Sequence, residues 1–152
     1  MTVSEPSPMQ LALAEARAAG LRGEVPVGAV VVDGLTGHVV VAAGNRVEEL
    51  ADPSAHAEIL AIREAAAAAG RPRLDGMDLY VTLEPCAMCA AAISLARVRR
   101  LIFGAYDPKM GGVEHGARVF DQPTCHHRPE VVGGVAEQEA AALLKEFFKD
   151  RR

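Results

Sequence analysis

The sequence lacks the features of an exported, membrane-bound or broadly basic protein. It has three cysteines, an odd and small number. In a chain with no visible export signal this argues against a disulfide framework and leaves metal binding or catalysis as the informative uses of sulfur. No such signal is visible: residues 1–20 have no basic opening, contain Pro6 and Pro8, and place Glu15 and Arg17 where an apolar run belongs. The cytoplasm is the expected location. No apolar stretch reaches the ~20 residues that cross a bilayer. The longest uncharged run near the middle, Pro85 to Ala96, has the length of a core helix, so no membrane partner is expected. Positive charge is not in excess either, with a formal net charge of -4 at pH 7. Phosphate-binding proteins are basic at least locally, so any RNA partner must meet a local patch. Internal repeats and low-complexity linkers are absent as well, and no boundary divides the chain.

What is present suits one compact unit. Half of the residues are apolar and 24% are charged, the balance of a globular chain. Its 152 residues are expected to form a single domain, 1–152, that buries roughly 70% of its unfolded surface.

The spacing of Met9, Leu11, Leu13, Ala16 and Leu21 predicts a helix that opens near Pro6 or Pro8 and ends at Gly20 and Gly23. Val25–Asp33 and Val39–Ala43 are β-branched runs on either side of the turn-forming Gly34–Gly37, and read as an antiparallel hairpin. Asp52, Pro53 and Ser54 give a helix-start signal, with Pro53 in the first turn, for a helix from Ala55 to Ala69 that stops at Gly70. Asp78–Leu83 reads as a strand, Pro85 restarts a helix to Ala96, and Arg100–Ala105 reads as a strand again. Strand, helix, strand implies a parallel crossover. A weaker strand at Val131–Val135 precedes a helix over Ala136–Lys149, with Ala140, Leu143, Leu144, Phe147 and Phe148 on its apolar side. Together these make a three-layer α/β domain. Asp107–Arg128 is the one long irregular segment, of the kind that often carries function.

The chemistry gathers at two helix starts. Cys86 and Cys89 form a C-x-x-C pair just after Pro85, three residues apart on one side of a first turn, so both can reach one ion. The positive end of a helix also stabilises the thiolates that zinc requires. Alone, such a pair is equally a redox motif, half of a structural zinc site or a chance occurrence. His56 and Glu58 lie at the start of the preceding helix. Two residues apart on a helix they point about 200° apart, so they share a target only if it sits beyond the helix end. A histidine there is commonly solvent-facing, and a glutamate there commonly just favours the dipole. Taken together, His56, Cys86 and Cys89 offer three ligands and leave the fourth tetrahedral position for water, the mark of a catalytic zinc site. A structural site would need a fourth ligand, for which Cys125, His126, His127, His115 and His38 are the spare candidates. Cys125 and His126 lack a chelating spacing and read as loop residues, with His126 or His127 placed near substrate.

The arrangement H-A-E followed by P-C-x-x-C resembles the signature of zinc-dependent nucleobase deaminases, in which the glutamate is the proton carrier and not a ligand. The chain also resembles the bacterial tRNA-specific adenosine deaminases over nearly its whole length. The matching segments are Glu24–Val30, Gly44-Asn45-Arg46, Ala55–Ile59, Leu79–Cys86, Met88-Cys89, Phe103-Gly104-Ala105, Asp107-Pro108-Lys109 and Leu143-Leu144 to Phe147-Phe148. The resemblance implies a cytidine-deaminase-like fold, with a central mixed sheet of about five strands and helices on both faces. It implies one Zn2+ per subunit, a homodimer, and conversion of a wobble adenosine to inosine in a tRNA anticodon loop, expected to be that of arginine tRNA. It further implies that Glu58 is catalytic, that Asn45 holds the nucleoside, and that backbone around Ala57 and Glu84 to Pro85 reads the base. Between Met110 and His127 the family often has small residues, where this sequence has Met110, Glu114 and His115.

Two basic clusters are candidates for phosphate contact: Arg97, Arg99 and Arg100, and Lys145, Lys149, Arg151 and Arg152. Singly, each is more simply a solvated surface charge. Of Phe147 and Phe148, one is expected to stack on exposed bases and the other to enter the core. Two other functions use the same residues. One is deamination of free nucleobases or nucleosides such as guanine, cytosine or cytidine in a more closed pocket. The other is a non-catalytic zinc-binding subunit that presents RNA, against which Glu58 argues.

Overall fold

A computed structural model describes residues 5–149 and Arg151. A five-stranded sheet runs in the order β2-β1-β3-β4-β5. Its strands are β1 (Gly28–Asp33), β2 (Val39–Gly44), β3 (Met77–Leu83), β4 (Arg100–Ala105) and β5 (Glu130–Val132). β1 is antiparallel to β2 and β3, whereas β4 is parallel to β3 and β5. The sheet is therefore mixed, and the parallel crossover from β3 to β4 runs as the sequence implies.

Alternate residues of the central strands feed two separate cores, which makes the layers. On one face Ala29, Val31, Leu79, Val81, Leu101 and Phe103 pack against α3 (Ala57–Ala69) and α4 (Ala87–Leu95). On the other face Val30, Val32 and Ile102 meet α1 (Pro8–Leu21) and, through Ala140, α5 (Glu137–Lys149). Strands covered on both faces read as continuous apolar runs, as these do. α1 lies unusually close to the sheet because Gly28 has no side chain: a Cβ there would overlap the Ala12 carbonyl oxygen.

Several boundaries differ from the sequence expectations, for local reasons. α1 opens with a reciprocal cap between Ser7 and Gln10 and runs through Gly20. The chain leaves the helix at Gly23, whose φ of +88° suits glycine. Leu21 is 92% exposed and faces away from the core. β1 begins at Gly28 and not Val25, since Pro26 has no amide to donate and the Gly28 amide bonds Thr82 Oγ1 at 3.1 Å. The Asp52-Pro53-Ser54 signal makes a turn of its own: Asp52 Oδ1 accepts the Ser54 amide and hydroxyl at 2.9 and 2.7 Å. Helix α3 starts later, with His56 as its extended N-cap residue. Likewise Cys86, not Pro85, precedes the first residue of α4. A short helix, α2 (Val47–Leu50), had no sequence signal. β5 ends at Val132, three residues before its expected end.

Candidate metal centre and active site

The two helix starts converge beyond the C-terminal end of β3. His56 has β-region dihedrals (φ -70°, ψ 150°), so the 200° helical offset does not apply to it, and it can face the same point as Glu58 on the first turn. Cys86 is also extended, while Cys89 is fully buried on the first turn of α4. His56 Nδ1 lies 3.7 Å from Cys86 Sγ and 3.5 Å from Cys89 Sγ, and the three ligand atoms lie within 4.8 Å of one another. Zinc bonds of ~2.0–2.3 Å at tetrahedral angles need N-to-S edges of roughly 3.5 Å. The donor set therefore fits zinc in kind and in spacing. Among the described residues no other histidine, cysteine or acid joins the group, so His38, His115, Cys125, His126 and His127 supply no fourth ligand.

The electrostatics favour a cation at that point. Cys86 is pushed down to about 4, chiefly because the Cys89 thiol donates to its sulfur, with His56 adding to the effect. Cys89 moves the opposite way, because its proton is held in that bond and burial disfavours a second thiolate. His56 is raised by its bond to Cys86. A divalent ion bound by these residues would take the place of that proton and let both sulfurs be anionic. Glu58 is only 4% exposed. Burial pushes its carboxyl up to about 6, against the opposing pull of its own backbone amide and His56. A carboxyl tuned toward neutrality can both take and return a proton near neutral pH.

These groups open on a cavity of about 560 Å³ that His56, Glu58, Cys86, Asn45 and Glu84 help to line, a volume suited to a nucleoside-sized guest. Asn45 is buried, and its Oδ1 accepts the Ala57 amide at 2.8 Å. The Ala57 amide is thus engaged inside the protein. Pro85 likewise gives its carbonyl to the Gly112 amide at 2.8 Å, and neither Ala57 nor Pro85 lines the cavity. Glu24, which sequence reasoning missed, is 2% exposed and accepts the Glu48 and Glu49 amides at 3.0 and 2.9 Å, which holds α2 at the cavity wall. Its one signal is a charge placed at the edge of an apolar run.

The proposed RNA contacts separate on inspection. Arg99 bonds Asp78 at 2.7 Å and is committed within the protein, whereas Arg100 Nε lies 3.3 Å from the exposed Glu130 carboxylate without a hydrogen bond to it. Arg97 lines a second cavity of about 520 Å³ together with His126 and His127. His127 Nε2 donates to the Val98 carbonyl at 2.7 Å, so neither histidine reaches the metal cavity. Arg151 does reach it, stacked 3.8 Å over the Phe147 ring, and both line the wall. Neither phenylalanine enters the core: Phe147 is half-buried in the cavity wall and Phe148 is 48% exposed. Lys145 and Lys149 are exposed, and Arg152 lies outside the described residues.

The model of the cytidine and deoxycytidylate deaminase zinc-binding region matches residues 4–105. The chain belongs to that deaminase family. This deaminase is 61% identical over 144 residues, 95% of its own length and 93% of the relative's, to the tRNA-specific adenosine deaminase of Agrobacterium fabrum. A solved structure from a study of A-to-I editing by tRNA:A34 deaminases at the wobble position superposes with a TM-score of 0.88. It has 61% identity, and the match covers 90% of this chain and 98% of that one. A guanine deaminase from Nitrosomonas europaea superposes with a TM-score of 0.77 at 26% identity, covering 97% of this chain and 86% of that one. The five-stranded sheet of this deaminase, with helices on both faces, is the cytidine-deaminase-like architecture.

Proposed function

We propose that this deaminase converts adenosine to inosine at the wobble position of a tRNA anticodon, with arginine tRNA as substrate, consuming water and releasing ammonia. The observation that carries the reading is the cluster of His56, Cys86 and Cys89 with buried Glu58 beside it, in a chain 61% identical to a tRNA-specific adenosine deaminase. His56, Cys86 and Cys89 would hold one Zn2+ per subunit, which would supply Lewis-acid activation of water. Glu58 carries the protons: its carboxylate takes one from the attacking water and passes it to the ring nitrogen beside the reacting carbon, then takes the second from the newly formed hydroxyl and gives it to the amino group, which leaves as ammonia as the carbonyl forms. Asn45 holds the nucleoside, and its side-chain amide is the part left to do so once Oδ1 is given to Ala57. An anticodon base is unpaired, so turning it into the cavity costs less than the few kcal/mol required within a duplex. With a net charge of -4 the protein meets RNA locally, and Arg151 and Phe147 bring a cation and an aromatic face to the cavity wall. The enzyme acts as a cytoplasmic homodimer of single-domain subunits spanning 1–152.

A second reading, deamination of a free base, is favoured by the superposition on a guanine deaminase. One assay separates the two. Purified protein is incubated with unmodified arginine tRNA bearing a wobble adenosine and, separately, with guanine, cytosine, adenosine and cytidine. Inosine at the wobble site with no turnover of the free compounds is expected. Turnover of the free compounds alone overturns the proposal.

A further inference from the structure

Glu84, next to the metal-ligand segment, is a buried carboxylate that the deamination steps leave unused. It follows the last residue of β3, and its side chain has no exposed surface. Its Oε1 accepts the Asp107 amide at 3.1 Å and His115 Nδ1 at 2.8 Å. Its Oε2 accepts the amides of Val113, Glu114 and His115 at 3.2, 3.0 and 3.1 Å. Burial alone would raise this carboxyl, yet the bonds from the Asp107 amide, the His115 ring and the neighbouring amides hold it below the ordinary range. One carboxylate thus gathers both ends of the 107–115 segment.

The same segment is fastened a second time. Gly111 pairs with Cys86 in an isolated antiparallel bridge, and the Gly112 amide donates to the Pro85 carbonyl. Both glycines are required for this approach: a Cβ at Gly111 would overlap the Glu84 carboxylate, and one at Gly112 would overlap the Ala87 backbone. Asp107, at one fastened end, and Met110, between the two, line the metal cavity. His115 does not line it; its ring stands edge-on to Tyr106, with centroids 6.1 Å apart.

We propose that the Glu84–His115 pair positions the 107–115 wall relative to Cys86 and thereby sets how tightly the cavity binds its RNA substrate. His115 is a positioning residue, since it acts through Glu84 and the loop and not on the substrate. The inference rests on the tRNA-adenosine reading for its substrate, while its structural half stands on the hydrogen bonds alone.

The test compares His115→Ala and His115→Asn with wild-type protein loaded with zinc, using an arginine anticodon stem-loop RNA and amide hydrogen exchange. A charge-assisted bond contributes enough for about a tenfold change in an equilibrium. His115→Ala is therefore expected to raise KM about tenfold with kcat little changed and zinc content intact, and to speed exchange at the Val113, Glu114 and His115 amides by a similar factor. His115→Asn, whose Nδ2 can take the place of the ring Nδ1, should restore both. Unchanged exchange and KM in His115→Ala overturn the inference, as does a fall in kcat with no change in KM. If wild-type protein leaves the RNA unedited, the functional reading fails, and the exchange measurement still decides whether His115 fastens the loop.

Discussion

Asn45 Oδ1 accepts the Ala57 amide at 2.8 Å, and this one bond ties the end of β2 to the residue between His56 and Glu58. The α3 N-cap residue, His56, gives no side-chain cap of its own, so Asn45 satisfies a free amide of the first turn from a distance. Replacing Asn45 by Ala is expected to cost about 0.5–2 kcal/mol, the range for a lost cap, and to weaken substrate binding as well. Thermal unfolding of zinc-free and zinc-loaded protein checks the first part and KM the second. An unchanged melting temperature would show that the bond adds nothing.

Removal of one sulfur should abolish the metal site. Cys89→Ser is expected to purify with far less than one equivalent of zinc, because a buried hydroxyl is a poor substitute for a thiolate toward this ion. Metal analysis by mass spectrometry reads the result directly. Full zinc occupancy in this variant would mean that the ion sits elsewhere.

Glu58→Gln should give the opposite split. Its neutral amide keeps the volume but cannot carry a proton, so turnover is expected to fall ~10²–10⁴-fold while zinc content is unchanged. Activity within tenfold of wild type in a single-turnover assay would remove Glu58 from the proton path.

Gly28→Ala probes the seat of α1. The added Cβ meets the Ala12 carbonyl oxygen, so helix and strand must part, and overpacking of this kind costs roughly 1–3 kcal/mol. Denaturant unfolding should show the loss with an unchanged slope, and equal midpoints would contradict the close approach.

Asp52 gives a pH dependence with a definite sign. Its carboxyl is held below the usual value of 3.8 by the Ser54 hydroxyl and amide. Because the folded pKa is depressed, the bonds contribute fully above that ordinary value and are lost as the pH falls through the folded pKa. The stability gap between wild type and Asp52→Ala should therefore be widest near neutrality and shrink below about pH 4. A gap that grew in acid would reverse the assignment.

The local signals in the sequence were strong where one residue type forces one geometry. β4 spans Arg100–Ala105 as its apolar run indicates, and α3 stops at Gly70, whose φ is +68°. The signals failed where two local devices compete. Asp52, Pro53 and Ser54 look like a helix start and make a separate turn, since short side-chain bonds serve turns and caps alike. Leu21 fits the helical period but is carried past the core as the chain turns off at Gly23.

The sequence by itself determined the metal chemistry: a histidine, two cysteines at helical spacing and a nearby glutamate have few other joint uses. Continuous apolar strands likewise required a sheet covered on both faces. Only the tertiary structure decided how the remaining polar groups are spent. Arg99, free in sequence, is taken by Asp78, and Asn45 gives its oxygen to Ala57. Glu84, expected from the resemblance to help read the base through its backbone, gathers the cavity wall with its side chain, through His115 and four backbone amides. Such pairings join residues far apart along the chain, and a buried charge takes whichever donors folding brings within about 3 Å.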